Sequence, residues 1–285
     1  MKTMDLKTLR SRIESVNTLA TIPTVAKKLL ELVSDPAVSL TDISNFISSD
    51  PVLASKVLRM VNSPVYGFPG RISSVNQAVL LLGLNVVKGL LFGVTVFDLM
   101  QKTMIGLWEH SLGCAIIARL VAKKRGVKDP EEVSIGGLLH DIGKVVLVLQ
   151  FPSEYEGIVN EAKEKQTTVY EVEDWHFSTS HATIGSWVAR QWSFPPPLID
   201  VIGYHHRPHM SKVAPVDAAI VHFSDILLRA RGFGFAGDYS VPPVHPAVWS
   251  LLDFSGPDIR EVLREAEDLL EEAADMSLQE DVISS

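Results

Sequence analysis

Apolar residues recur at three- and four-residue intervals along most of this chain, the period of one buried helix face, and no useful run of strict alternation interrupts them. Leu6, Leu9, Ile13 and Val16 predict a first helix over 6–19. Pro23 opens a second through Val25, Leu29, Leu30 and Leu32, which stops before Asp35-Pro36. Ser39 or Thr41 caps a short helix through Ile43, Phe46 and Ile47. Asp50-Pro51 starts a fourth through Leu53, Val57, Leu58 and Val61, ended by Asn62-Ser63-Pro64 and the loop Tyr66-Gly67-Phe68-Pro69-Gly70. Ser74 caps a long apolar helix that contains Ala78 to Phe97. Asn85 and Lys88 near its middle favour a core helix over a membrane span, since a lysine there costs about 2.5–3.5 kcal/mol on insertion scales.

The second half begins near Met104. Leu107, His110, Cys114, Ile117 and Val121 form one stripe of a helix that ends at Gly126. Asp129-Pro130-Glu131-Glu132 is a strong start signal for a helix running to about Leu149. Ser178 or Ser180 begins the next, through Ile184, Trp187, Val188 and Trp192. Pro195 to Pro197 opens another that ends at His205-His206, and Pro215 starts one ending at Arg231-Gly232. The Gly- and Pro-bearing segment 232–246 reads as a linker before an acidic tail helix.

Composition narrows the class. At 285 residues and 46% hydrophobic, the chain can bury a sizeable core. Its net charge of −8 argues against a generic nucleic-acid binder. Eleven acids against Arg260 and Arg264 lie from Asp253 onward, the pattern of a solvated face or a mobile end. Cys114 is the lone cysteine, so a reducing cytoplasm is the natural setting, and residues 1–16 lack the apolar stretch of a signal peptide.

Polar residues on apolar faces carry the chemistry. Asp141 lies among Leu138, Val145 and Val148, where an ionised carboxylate is costly unless it is paired or bound to a cation. A pairing with Lys144 or His140 is the plainer alternative. Asp225, among Val221, Ile226 and Leu228, can equally pair with Arg229. His110 alone reads more readily as a core histidine. His205-His206 before Pro208 can turn towards a shared site, and His181 sits at a helix start, where the dipole would keep it neutral. Neutral imidazoles with a carboxylate suit iron, manganese or zinc, and helical bundles build metal cores from ligands on separate helices. His209, His222 and His245 read as surface or capping residues; His176, after Trp175 and just before a helix, could stand in for His181, although the helix start His181-Ala182-Thr183-Ile184-Gly185 favours His181.

The order His110, His140-Asp141, His181, His205-His206, Asp225 resembles the metal-ligand pattern of HD-superfamily phosphohydrolases, in particular the HD-GYP subgroup. The stretch His140-Asp141-Ile142-Gly143-Lys144 and the helix start His181-Ala182-Thr183-Ile184-Gly185 strengthen that likeness. Asp50-Pro51-Val52-Leu53, Asn62-Ser63-Pro64-Val65-Tyr66 and Leu82-Gly83 resemble the HDOD family, a branch of the same superfamily, over about residues 18–230. No Gly-Tyr-Pro motif follows His206; Arg207-Pro208 stands there. The HDOD resemblance implies an all-α fold, with an HD-type helical core and an N-terminal helical layer packed on it. The layer would occupy 1–103, the metal-binding core 104–231, and a linker with an acidic helix 232–285.

The resemblance further implies two divalent transition-metal ions, iron or manganese first and zinc or nickel next. His110, His140, Asp141 and Asp225 would hold one. His181, His205 and His206 would hold the other, with Asp141 bridging. Lys144 would stabilise phosphoryl charge, or pair with Asp141 instead. The expected function is a signal-transduction module that keeps its metal site and meets a nucleotide or a signalling protein. The alternative is a metal-dependent phosphohydrolase or phosphodiesterase acting on a nucleotide or other phosphate ester.

Overall fold

The computed structural model describes residues 37–283 apart from 67 and 69, together with residues 28, 32 and 35. The helix expected over 6–19 lies outside the described residues, and of the one expected over 23–32 only Lys28 and Leu32 are described, both helical. Within them the chain is all-α, without a strand.

Three helices form the N-terminal part: α1 (Leu40–Ser48), α2 (Pro51–Val61) and α3 (Val75–Thr103). Each starts where its cap predicts. Ser39 closes a capping box with Asp42, Asp50 accepts from the Val52 and Leu53 amides, and Ser74 accepts from the Gln77 amide. Asn62 ties the following loop down, donating to the Ile72 carbonyl and accepting from the Ile72 amide. Helix α3 bends at Gly83, whose φ of 78° would strain any residue with a Cβ. Its Val75–Gly93 stretch is long and apolar enough to cross a membrane, yet 56% of that window is buried inside the protein. Ala78, Val79, Leu90 and Leu91 are enclosed, while Leu80 and Leu81 face outward.

The remaining helices are α4 (Leu107–Arg125), α5 (Pro130–Leu139), α6 (Ile142–Gln150), α7 (Pro152–Lys165), α8 (Val169–Phe177), α9 (His181–Gln191), α10 (Pro196–Tyr204), α11 (Pro215–Arg231), α12 (Pro246–Leu252) and α13 (Gly256–Ile283). One continuous apolar cluster runs from Ile43 in α1 to Ala273 in α13. Each enclosed Val, Leu, Ile or Phe contributes on the order of 1.5–3 kcal/mol to it. The acidic tail helix is packed on the protein as far as Ala273: Val262, Ala266, Leu270 and Ala273 form a buried stripe, and Lys124 pairs with Asp258 and Glu261.

Two departures from the sequence pattern shape the site. The helix expected from Pro130 to Leu149 is broken at His140-Asp141, where Asp141 leaves helical geometry (φ −95°, ψ 11°). Aspartate favours such a helix-start position, and its carbonyl accepts from the Lys144 amide to begin α6. The unanticipated pair α7–α8 fills residues 152–177. The apolar face of α7 is sparse (Tyr155, Ile158, Ala162), and α8 is set by a Thr168–Glu171 capping box.

Candidate metal centre

Seven side chains from five parts of the fold meet in the interior. His110 comes from α4, His140 and Asp141 from the α5–α6 break, His181 from the first position of α9, His205 and His206 from the end of α10, and Asp225 from α11. They form two groups in which one ligand atom of each residue lies within 4.8 Å of all the others. Asp141, His181, His205 and His206 make one, and His110, His140 and Asp225 the other. The Asp141 carboxylate spans both. Its Oδ1 is 3.2 Å from His181 Nε2 and 3.8 Å from His205 Nε2, and its Oδ2 is 3.3 Å from His140 Nε2. In the second group, Asp225 Oδ1 stands 3.0 Å from His110 Nε2 and 3.9 Å from His140 Nε2.

The local fold aims these atoms. His140 Nδ1 donates to the Gly137 carbonyl at 2.7 Å, and His205 Nδ1 to the Ile202 carbonyl at 2.8 Å. Each bond orients its ring and turns Nε2 inward, towards the other side chains of the cluster. His181 Nδ1 lies 2.6 Å from Glu173 Oε2, and the same oxygen accepts the His181 amide at 2.8 Å. Glu173, on α8 and fully buried, is steadied in turn by the Tyr155 hydroxyl at 2.8 Å. Gly143 lets α6 and α9 cross closely enough to bring Asp141 beside His181: a Cβ there would lie 1.9 Å from the His181 carbonyl oxygen.

A metal ion fits this donor set. His140 Nε2, His205 Nε2, Asp141 Oδ1 and Asp225 Oδ2 are buried without a hydrogen-bond partner, a condition that costs free energy unless a cation answers it. Donors about 2.1 Å from a shared ion lie roughly 3–3.5 Å apart, which matches the 3.0–3.3 Å pairs above, while the 3.8 and 3.9 Å pairs stand slightly wider.

Electrostatics agree with that reading. Burial pushes His110, His205 and His206 below the usual imidazole range, His205 and His206 furthest because neighbouring histidines add to it. Burial would also push Asp141 up, but His140 and Lys144 hold it well below the usual carboxylate range; Arg229 and His110 do the same for Asp225. His140 moves the other way: burial lowers it, and the Asp141 carboxylate overrides this and raises it well above normal. His181 is a correction to the sequence reading. Burial and the Lys144 charge lower its pKa, but Glu173 with Asp141 outweighs them, so the group is raised. The carboxylates thus favour positive charge at the centre, a place a proton or a metal ion can take.

The plainer alternatives for the acids hold alongside the cluster. Lys144, fully buried, donates to Asp141 Oδ2 and to the Ala236 carbonyl, both at 2.8 Å. Arg229 Nε donates to Asp225 Oδ1 at 2.7 Å. Glu173 and Asp238 escaped the sequence reading, although Glu173 belongs to the α7–α8 region that the pattern left blank. His222 departs from its expected surface role. It is buried, its Nδ1 donates to the His205 carbonyl at 2.6 Å, and its Nε2 accepts the His245 amide at 3.0 Å. It therefore pins the backbone of the His205-His206 pair. His245 caps α12 as expected and stacks on exposed His209, while His176 pairs with Glu161 away from the centre.

Comparison with known proteins follows the same lines. The family model for the HDOD domain matches residues 19–208. An HDOD domain protein with unknown function from Geobacter sulfurreducens is 29% identical; its crystal structure aligns with a TM-score of 0.70 over 95% of this chain and 97% of that one. An uncharacterized protein of Treponema pallidum is 29% identical over 216 residues, 73% of this chain and 42% of its own length. A ribonuclease Y of Thermosipho melanesiensis is 32% identical over 123 residues, 43% of this chain and 18% of its own length. The chain therefore spans less than half the length of these two relatives. With the family match covering most of the chain and the same helical architecture in a solved HDOD protein, this chain belongs to the HDOD family.

Proposed function

We propose that this chain is an HDOD signal-transduction module that has kept a two-metal centre, and that its ligand is a nucleotide or a signalling protein meeting the module at that centre. The observation that carries the metal reading is the set of buried, unpartnered Nε2 and Oδ atoms, each held from behind and turned towards the others. His110, His140 and Asp225 would hold one ion, and His181, His205 and His206 the other, with Asp141 shared. Such ions would cross-link α4, α9, α10, α11 and the α5–α6 break, so metal loading becomes part of the fold's stability.

A second reading, hydrolysis of a phosphate ester, is favoured by one feature. Among the seven ligands, His206 alone is not fully enclosed; Tyr170 packs on its ring at 4.5 Å, and the Arg207 guanidinium lies 5.4 Å from the Tyr170 ring centre. A phosphate-bearing ligand would enter along this edge, where Arg207 offers a forked donor. When bound, two such ions supply Lewis-acid activation of water and of a phosphoryl group. Lys144 is committed to Asp141 and the Ala236 carbonyl, so its contribution is to hold the shared carboxylate.

The deciding experiment titrates nucleotides calorimetrically into protein loaded with manganese, iron or zinc, and follows phosphate release and phosphodiester cleavage in the same samples. Binding without turnover supports the module. Turnover abolished by His181→Ala reverses the ranking. Neither binding nor turnover removes nucleotides as ligands and leaves a protein partner.

A further inference from the structure

We infer that Asp238, on the strap 232–241, is a positioning residue for the metal centre. The inference rests on the metal reading above. Asp238 lies outside the residues matched by the family model, on a segment whose Gly and Pro content reads as a linker.

The geometry ties Asp238 to both metal-facing carboxylates through their cations. Its Oδ2 accepts from Arg229 Nη1 at 2.5 Å, and the Nε of the same guanidinium holds Asp225. Its Oδ2 also stands 3.9 Å from Lys144 Nζ, whose ammonium holds Asp141. Its Oδ1 accepts the Val169 amide at the start of α8 at 2.6 Å, on the helix that carries Glu173 and Tyr170. The Asp238 side chain is 2% exposed, so these contacts are made out of water, where charge balance matters most.

The strap is fixed along its length. The Phe235 amide donates to the Gly106 carbonyl, Ala236 presents its carbonyl to Lys144, and the Ser240 hydroxyl donates to the Thr167 carbonyl. Lys144 and Arg229 each share themselves between a metal-facing aspartate and Asp238. Removing the Asp238 charge leaves both cations bearing more fully on Asp141 and Asp225, and makes the centre one unit more positive. Both changes disfavour a divalent ion.

The test is Asp238→Asn, nearly isosteric and still able to accept the Val169 amide. Competition with a chromophoric chelator gives zinc and manganese affinity for wild type, Asp238→Asn, Asp238→Glu and Ser240→Ala. Substituting an outer partner of a metal site costs about 10- to 100-fold in affinity, and that loss is expected for Asp238→Asn. Asp238→Glu, which keeps the charge, should recover most of it, and Ser240→Ala, which loosens only the strap, should bind as wild type does. If Asp238→Asn folds poorly without metal, the rate at which the chelator strips protein purified with metal gives the same comparison, with faster loss expected. Wild-type affinity or stripping rate in Asp238→Asn overturns the inference, as does an equal loss in Ser240→Ala. Absence of binding by wild type would instead overturn the metal reading itself.

Discussion

Replacing Gly143 by alanine puts the central packing argument at risk. The added methyl carbon would lie 1.9 Å from the His181 carbonyl oxygen and 2.8 Å from the Gly185 amide nitrogen, both backbone atoms that cannot rotate away. Reaching the roughly 3.0 Å at which such contacts begin to be tolerated requires α6 and α9 to part by about 1.1 Å (3.0 − 1.9). Overpacking of this kind costs about 1–3 kcal/mol, or more where backbone meets backbone. At about 2–4 °C per kcal/mol for a chain of this size, the midpoint should fall by roughly 2–12 °C. The functional loss should be sharper. Asp141 and His181 are 3.2 Å apart across that crossing, and metal–ligand distances tolerate only about 0.2 Å. Calorimetry with elemental analysis should therefore show a folded, less stable protein that has lost the ion held by His181, His205 and His206. Gly157→Ala, in α7 with open space around its Cβ position, is the control and should gain up to about 1 kcal/mol. A Gly143→Ala protein with wild-type midpoint and metal content would refute the reasoning.

Other expectations follow from the same contacts. Asp141→Ala should lose both ions, because both groups share that carboxylate; retention of either in elemental analysis would show that the bridge is unnecessary. A strong chelator should lower the melting midpoint of metal-loaded protein, and an unchanged melt would make His110 and Asp225 ordinary core residues. Lys144→Met strands the buried Asp141 charge and should cost about 3–5 kcal/mol in metal-free protein, with much of that restored by metal; denaturant titration in both states measures it. Metal affinity should weaken as pH falls through neutrality. His140 and His181 have raised pKa values, so in metal-free protein they take up protons above the ordinary imidazole range, and those protons compete with the ion. Affinity that holds steady on acidification would contradict this assignment.

Much of the fold was legible because its signals are local. Ser39, Asp50 and Ser74 mark helix starts by direct bonds to the next turn, and Gly126 and Gly232 mark ends by left-handed geometry. The clustered histidines and aspartates stand in the sequence in a family order, and their odd placement on apolar faces gives a physical reason to expect them together. What escaped depends on contacts distant in sequence. No periodicity announces the break at Asp141, because the apolar pattern runs straight through it. Glu173 reads as one more acid in an acidic stretch until its helix folds back and meets His181. His222 and Asp238 gain their roles from partners on other segments, the His205 carbonyl and the Lys144–Arg229 pair.

The account stands most directly on the number of ions per chain. Protein purified, stripped and reconstituted separately with manganese, iron and zinc should, after removal of free metal, carry close to two equivalents of at least one of them by inductively coupled plasma mass spectrometry, and the Asp141→Ala protein close to none. A folded wild-type chain that retains no stoichiometric metal under any of these conditions would contradict it, leaving the seven side chains as a buried hydrogen-bonding and ion-pair network.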